Sequence, residues 1–186
     1  MLRAMIHPPA HSDGPTVLLV DDNQHMRKLI TEILRAIGIR DAYEANDGAE
    51  ALSLMRTRRI DLVITDIAMQ PIDGVDFVRL IRNSEDSPAP TVPVIMITGH
   101  ATKARVDEAR DAGVNEFLAK PITARGVLDR MQRVIDKPRP FIRTADYFGP
   151  DRRRRADPEY TGTLRRASDG VLDDEGPALN QATSRG

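Results

Sequence analysis

Three aspartates, one threonine and one lysine stand at the ends of short apolar runs. Asp21 and Asp22 follow Val17-Leu18-Leu19-Val20, and Asp66 ends Leu62-Val63-Ile64-Thr65. Thr98 ends Val94-Ile95-Met96-Ile97, and Lys120 follows Val114–Leu118. Taken singly, each is an ordinary helix cap, loop acid or solvated amine. Gathered at one place they would be a set with chemistry. Several carboxylates cannot share a site without counter-charge. A hard cation with oxygen ligands, most simply Mg²⁺, would neutralise them and leave positions open for phosphate oxygens. A lysine adds a mobile positive charge, and a threonine can donate a hydrogen bond to a phosphoryl oxygen. Such a set suits phosphoryl transfer to a carboxylate, where positioning and charge neutralisation do most of the work.

Those residues meet only if the runs are parallel strands of one sheet. Apolar runs of this kind suit strands buried on both faces. Helical patterns separate them. Met26, Leu29, Ile30, Ile33, Leu34 and Ile37 recur at helical spacing before Gly38. Asp47–Arg56 reads as a helix, as do the segments bearing Val75–Ile81, Thr102–Asp111 and Val127–Ile135, the last capped by Thr123. A short strand is expected at Ile39–Glu44. Alternating strands and helices imply a doubly wound α/β fold with right-handed crossovers and five parallel strands. Folds of this class place ligands at the carboxyl ends of their strands.

The ordered pattern runs over 16–136, the size of one domain. Residues 1–15, with Pro8, Pro9, Gly14 and Pro15, read as a flexible leader. Residues 137–186 are poor in apolar residues and are expected to be largely disordered. They hold a repeat, Tyr-x-Gly-x-x-Arg-Arg: Tyr147, Gly149, Arg152 and Arg153, then Tyr160, Gly162, Arg165 and Arg166. The repeat favours a docking motif over a merely solubilising tail.

Composition narrows the classes. The chain has 186 residues, a net charge of −1 and no cysteine. Disulfides, thiolate metal sites and a cysteine nucleophile are excluded. The near-zero charge argues against a nucleic-acid binder. The tail holds ten basic and eight acidic residues, so its Arg152–Arg155 run is largely balanced. No run is long enough to cross a membrane, and Met1–Ile6 is too short for a signal-peptide core. A cytoplasmic protein is expected.

In sum of its motifs the sequence resembles the receiver domain of bacterial response regulators. The matching residues are Val20-Asp21-Asp22, Asp66 with Met69 and Asp73-Gly74, Ile97-Thr98-Gly99 and Phe117-Leu118-Ala119-Lys120-Pro121. The resemblance implies the flavodoxin-like (βα)5 receiver fold, CheY-like in type. It implies that Asp66 accepts a phosphoryl group from a sensor histidine kinase or a histidine phosphotransfer protein. Asp21, Asp22, Asp66 and the Ala68 carbonyl would bind Mg²⁺, with Asp21 acting through water. Thr98 and Lys120 would bind the phosphoryl group, Phe117 would be the aromatic switch, and a cis bond is expected before Pro121.

Ala68 and His100 occupy the positions that tune loss of the phosphate in the family. The output would be a changed surface around the fourth helix, fifth strand and fifth helix, where Lys103, Arg105 and Val106 are expected, read by a downstream protein. Dimerisation on phosphorylation stays open. Arg27 could face the rim of the site, although a solvated helix charge is the better reading, and His25 reads as surface. Self-phosphorylation and autodephosphorylation would be the only catalysis. The alternatives are a phosphatase or phosphotransferase of the haloacid dehalogenase type, which needs an Asp-x-Asp motif after its first strand, and a nucleic-acid regulator acting through the arginine tail.

Overall fold

A computed structural model describes residues 14–99, 102–152 and 170–171. Ten elements alternate: β1 (Val17–Val20), α1 (Gln24–Ala36), β2 (Ala42–Ala45), α2 (Gly48–Thr57), β3 (Leu62–Asp66), α3 (Gly74–Asn83), β4 (Val94–Thr98), α4 (Lys103–Ala112), β5 (Glu116–Ala119) and α5 (Ala124–Asp136). The strands are all parallel, in the order β2-β1-β3-β4-β5. The order reverses between β1 and β3, the topological switch point at which doubly wound sheets bind ligands.

The continuous apolar runs are explained by burial on both faces. Leu18, Val20, Val63, Val94 and Met96 pack with Met55, Phe77, Val78, Ile81 and Ala109 from α2, α3 and α4. Val17, Leu19, Leu62, Ile64, Ile95 and Ile97 turn the other way, onto Ile30, Leu34, Val127 and Met131 from α1 and α5. Helix starts are set by side-chain caps: Asn23 on α1, Asp47 on α2, Asp73 on α3, Thr102 on α4 and Thr123 on α5. Gly113 ends α4 with a φ of 102°, in the left-handed region that glycine enters most easily.

Three boundaries differ from the sequence reading. The second strand is Ala42–Ala45, not Ile39–Glu44, because Ile39 still closes α1 through its N–H to Leu34 O. The second helix begins after Asp47, which is its cap. The fifth strand starts at Glu116, because Val114 N–H bonds back to Ala109 O at the end of α4.

Residues 137–186 were expected to be largely disordered; within them, residues 137–152 and 170–171 are described and carry strands the sequence reading did not foresee. Phe141–Arg143 (β6) and Phe148–Pro150 (β7) form an antiparallel pair, and Gly170–Val171 (β8) pairs with the other side of β6. The first Tyr-x-Gly-x-x-Arg copy is part of this strap. Tyr147 Oη donates to Pro150 O at 2.8 Å, and Arg152 lies 3.9 Å above the Tyr147 ring and 2.8 Å from Asp111 at the end of α4. Gly149 is required: a Cβ there would meet Tyr147 Oη at 2.5 Å and Gly113 Cα at 2.9 Å. Arg153 and the second copy, Tyr160, Gly162, Arg165 and Arg166, lie outside the described residues, as do the leader through Asp13 and His100.

The strap closes over Arg82, which is 2% exposed. Its guanidinium donates to Pro90 O at 2.7 Å, to Gly113 O at 3.1 and 3.2 Å, and to Asn115 Oδ1 at 3.1 Å. It also stacks over Phe141 at 5.0 Å. Burial lowers its pKa to about 10, which leaves it charged at neutral pH. No helix among the described residues is long and apolar enough to cross a membrane.

Candidate functional site

The parallel sheet brings Asp21, Asp22, Asp66, Thr98 and Lys120 to one edge. Asp21, Asp66 and Thr98 are buried, while Asp22 and Lys120 are exposed. The Lys120–Pro121 bond is cis, as expected. Lys120 Nζ sits 2.9 Å from Asp66 Oδ1. The approach is that of an ion pair and does not have the angles of a hydrogen bond, so Asp66 Oδ1 carries no hydrogen bond. The other oxygen, Oδ2, accepts from Ala68 N at 3.1 Å.

Asp21 is in a similar position. Its Oδ1 accepts from Asn23 N at 2.8 Å, while its buried Oδ2 has no hydrogen bond. Burial pushes the Asp21 carboxyl above its ordinary range; the Asn23 N–H and the Lys120 charge oppose this, while the Asp66 and Asp22 charges add to it. Two neighbouring buried carboxylates with unfilled oxygens, beside a single amine, form a centre that favours a cation. No three acidic or histidine side chains among the described residues converge into a complete cage. A cation held by the Asp21 and Asp66 carboxylates would need backbone and solvent oxygens to complete its shell, an arrangement that suits Mg²⁺ better than a dedicated protein cage.

The segment after Asp66 is held by main-chain contacts. Gly74 N–H donates to Ile67 O at 3.1 Å. Any side chain at 74 would run into the Asp66 carbonyl. The segment also holds a second cis bond, Gln70–Pro71. Ala68 is exposed beside the site. Phe117 is half-buried on β5 and packs against the core on the α4 side.

Two contributors were missed by the sequence reading. Arg27 is not a free surface charge: its Nη1 donates to Asp21 O at 2.7 Å and its Nε lies 3.3 Å from Glu44. It thereby holds the Asp21 main chain. Its partner is a carbonyl, and no side-chain pattern in the sequence marks a carbonyl. Arg105 on α4 pairs with Asp73 at 2.9 Å and with Glu108 at 2.6 Å. It so ties α4 to the end of the segment that follows Asp66. Burial pushes the Asp73 carboxyl up, but hydrogen bonds from Asp76 N–H and Arg105 outweigh it and hold the group below its ordinary range. Lys103 is exposed and pairs with Asp107.

Residues 17–132 match the family described as the response regulator receiver domain. Chemotaxis protein CheY-3 of Vibrio cholerae is 34% identical over 121 residues, 65% of this chain and 92% of that protein. Chemotaxis protein CheY of Pseudomonas aeruginosa is 33% identical over 121 residues, 65% of this chain and 96% of that one. Among solved structures, V. cholerae CheY4 superposes with a TM-score of 0.60 at 30% identity, covering 64% of this chain and 98% of its own. The receiver domain of the P. aeruginosa sensor histidine kinase PA1611 superposes with a TM-score of 0.60 at 30% identity, covering 67% and 99%, and holds a magnesium ion in its active-site cleft. With the sheet order, the acidic edge and a match over most of the folded part, the chain belongs to the response regulator receiver family, the phosphoacceptor module of two-component signalling.

Proposed function

We propose that Asp66 is the phosphoacceptor, and that the chain signals by a phosphorylation-dependent change in what it binds. The observation that carries this reading is the buried Asp66 carboxylate, its Oδ1 free of hydrogen bonds and 2.9 Å from Lys120 Nζ, beside Asp21 with a second unfilled oxygen. An Asp66 carboxylate oxygen attacks the phosphorus of a phosphohistidine on a kinase or phosphotransfer protein. The new P–O bond forms as the P–N bond breaks, and the imidazole leaves. Asp21, Asp22, Asp66 and the Ala68 carbonyl would hold Mg²⁺, whose charge offsets the negative charge of the incoming phosphoryl group. Lys120 pairs with the same oxygens, and Thr98, at the end of the neighbouring strand, donates to the phosphoryl group.

The output surface is α4, β5 and α5, with Phe117 as its moving aromatic. Ala68 is too small to position a water for hydrolysis, which leaves His100 as the tuning residue. The donor set lacks an Asp-x-Asp arrangement after β1, which disfavours the haloacid dehalogenase reading. The arginine tail is balanced by acids, which disfavours nucleic acid as the target.

Intact-mass measurement with acetyl phosphate or phosphoramidate and Mg²⁺ tests the reading. One base-labile phosphoryl adduct per chain is expected, absent in Asp66→Asn. Multiple-turnover hydrolysis of small phosphate esters without an adduct would overturn it.

A further inference from the structure

Of the five helices, α4 alone buries no side chain larger than alanine. Its buried residues are Ala109 and Ala112, whereas α3 buries Val75, Phe77, Val78 and Ile81. Two small side chains remove little apolar area from water, so α4 can shift at little cost in packing. Its place is set instead at its two ends. Near the amino end, Arg105 reaches Asp73, the cap of α3, at 2.9 Å. Gly74 N–H, next to that cap, holds Ile67 O, one residue past Asp66. At the carboxyl end the strap takes over. Arg152 lies 2.8 Å from Asp111 while stacked on Tyr147. Gly149 passes so close to Gly113, which closes α4, that a Cβ there would lie 2.9 Å from Gly113 Cα.

The strap is fastened to the start of β5 as well. Arg139, near the beginning of the strap, donates to Asn115 O, just before β5, and to Asp151 O, at the strap's far end, at 3.1 Å. Between these fastenings lies a cavity of about 380 Å³, walled by Arg110 of α4, by Asn115 and Phe117, and by Arg139 and Arg152 of the strap. Phe117 thus borders a space that the strap helps to close. A movement of Phe117 or of the end of α4 changes what the strap is fastened to. We propose that the strap is a clamp acting in cis. Docked through Arg139, Gly149 and Arg152, it holds α4 and β5 in the arrangement in which Lys120 pairs directly with the Asp66 carboxylate, and so opposes the arrangement that a phosphoryl group on Asp66 favours. The inference rests on the reading of Asp66 as the phosphoacceptor. Its sign follows from linkage. A contact made in one arrangement and lost in another weakens any ligand that prefers the second, and that ligand loosens the contact by the same factor. The Arg152–Asp111 pair is exposed, so its share of the opposition is modest, about two- to fivefold.

Amide hydrogen exchange of the full-length protein tests the clamp, with and without Mg²⁺ and beryllium fluoride as a mimic of the phosphoryl group. Asp111→Arg sets like charges at 111 and 152, and Asp111→Arg with Arg152→Glu restores an opposite pair. An arginine in the last turn suits the helix dipole by itself, so a loosened α4 in the single variant reports the lost strap contact. Without beryllium fluoride, amides of 106–113 and 141–149 should exchange about two- to fivefold faster in Asp111→Arg than in wild type. The double variant should return toward wild type, and α1 should not change. With beryllium fluoride, wild type should loosen at 141–149 as the single variant does, and Asp111→Arg should load at an about two- to fivefold lower concentration. Equal exchange in all three proteins, or a double variant as loose as the single one, would overturn the clamp. Beryllium fluoride that moves the amides of Asp22, Asp66 and Lys120 but not those of the strap would overturn it and leave the phosphoacceptor reading standing. Amides of those three residues that stay unmoved in wild type, as they should in Asp66→Asn, would overturn that reading and the clamp with it.

Discussion

The two ends of the parallel sheet bury charge in opposite ways. At the carboxyl end, Asp21 and Asp66 each keep a buried oxygen without a hydrogen bond. At the amino end, Arg82 is as deeply buried, yet its donors reach Pro90 O, Gly113 O and Asn115 Oδ1. A buried polar group left unfilled costs free energy that folding does not need to spend. Arg82 is therefore structural, a bolt joining α3, the connection before β4, the start of β5 and the strap. Under the proposed function, the Asp21 and Asp66 oxygens without hydrogen bonds are those a cation would fill. The difference separates the part of the molecule that binds from the part that braces.

The largest effect is expected at the bolt. Arg82→Met removes four hydrogen bonds and leaves buried carbonyls without donors, so it should cost about 3 kcal/mol or more, read as a lower urea midpoint. A loss under about 1 kcal/mol would mean that water fills the gap and that the amino end is not a braced one.

Next comes Gly149→Ala, whose new methyl must displace Tyr147 or α4's terminal Gly113. It should cost about 1–3 kcal/mol, with faster amide exchange at Ile142 and Asp151 while β1 to β4 stay protected. Uniform loss of protection would mean that strap and receiver unfold as one unit.

A smaller effect is expected at Arg105→Ala, which removes half-exposed ion pairs to Asp73 and Glu108 and should cost about 0.2–1 kcal/mol. The Asp73 carboxyl is held below its ordinary range, so its contribution is present above the unfolded value and is lost as pH falls through the folded one. The cost of Arg105→Ala should accordingly shrink in acid. A cost that is constant from pH 7 down to about 3 would contradict the assignment.

The carboxyl end was legible because strand ends are legible. Continuous apolar runs ending in Asp21, Asp66 and Thr98, with Lys120 just past another, can converge only in a parallel sheet. The edge strands were read less well. β2 is only partly buried and β5 has a half-exposed Glu116, so neither shows the clean apolar run of β1, β3 or β4. The strap was not legible at all. Its anchors are main-chain carbonyls accepting from Arg139, the Arg82 guanidinium stacked on Phe141, and a glycine that must pass Tyr147. A segment rich in arginine, proline and aspartate looks unable to fold when its apolar residues are counted, because those anchors are not apolar. The repeated tyrosine, glycine and arginine were the one visible trace, and the first copy turns out to dock on its own receiver.

The central claim is that the carboxyl end keeps oxygens unfilled for a cation, and Asp21→Asn tests it most directly. Burial raises the Asp21 carboxyl, so the folded chain holds that proton more tightly than the unfolded chain does. The group's contribution is greatest in acid and falls as pH rises from the unfolded value through the folded one; at neutral pH the ionised group opposes folding. In EDTA at pH 7, Asp21→Asn should therefore unfold at a higher urea concentration than wild type, with the gap closing in acid. In Mg²⁺ the order should narrow or reverse, because wild type gains about 1.4 kcal/mol at ten times its Kd and the variant gains less. A variant less stable than wild type in EDTA, or one that gains as much from Mg²⁺, would contradict the account.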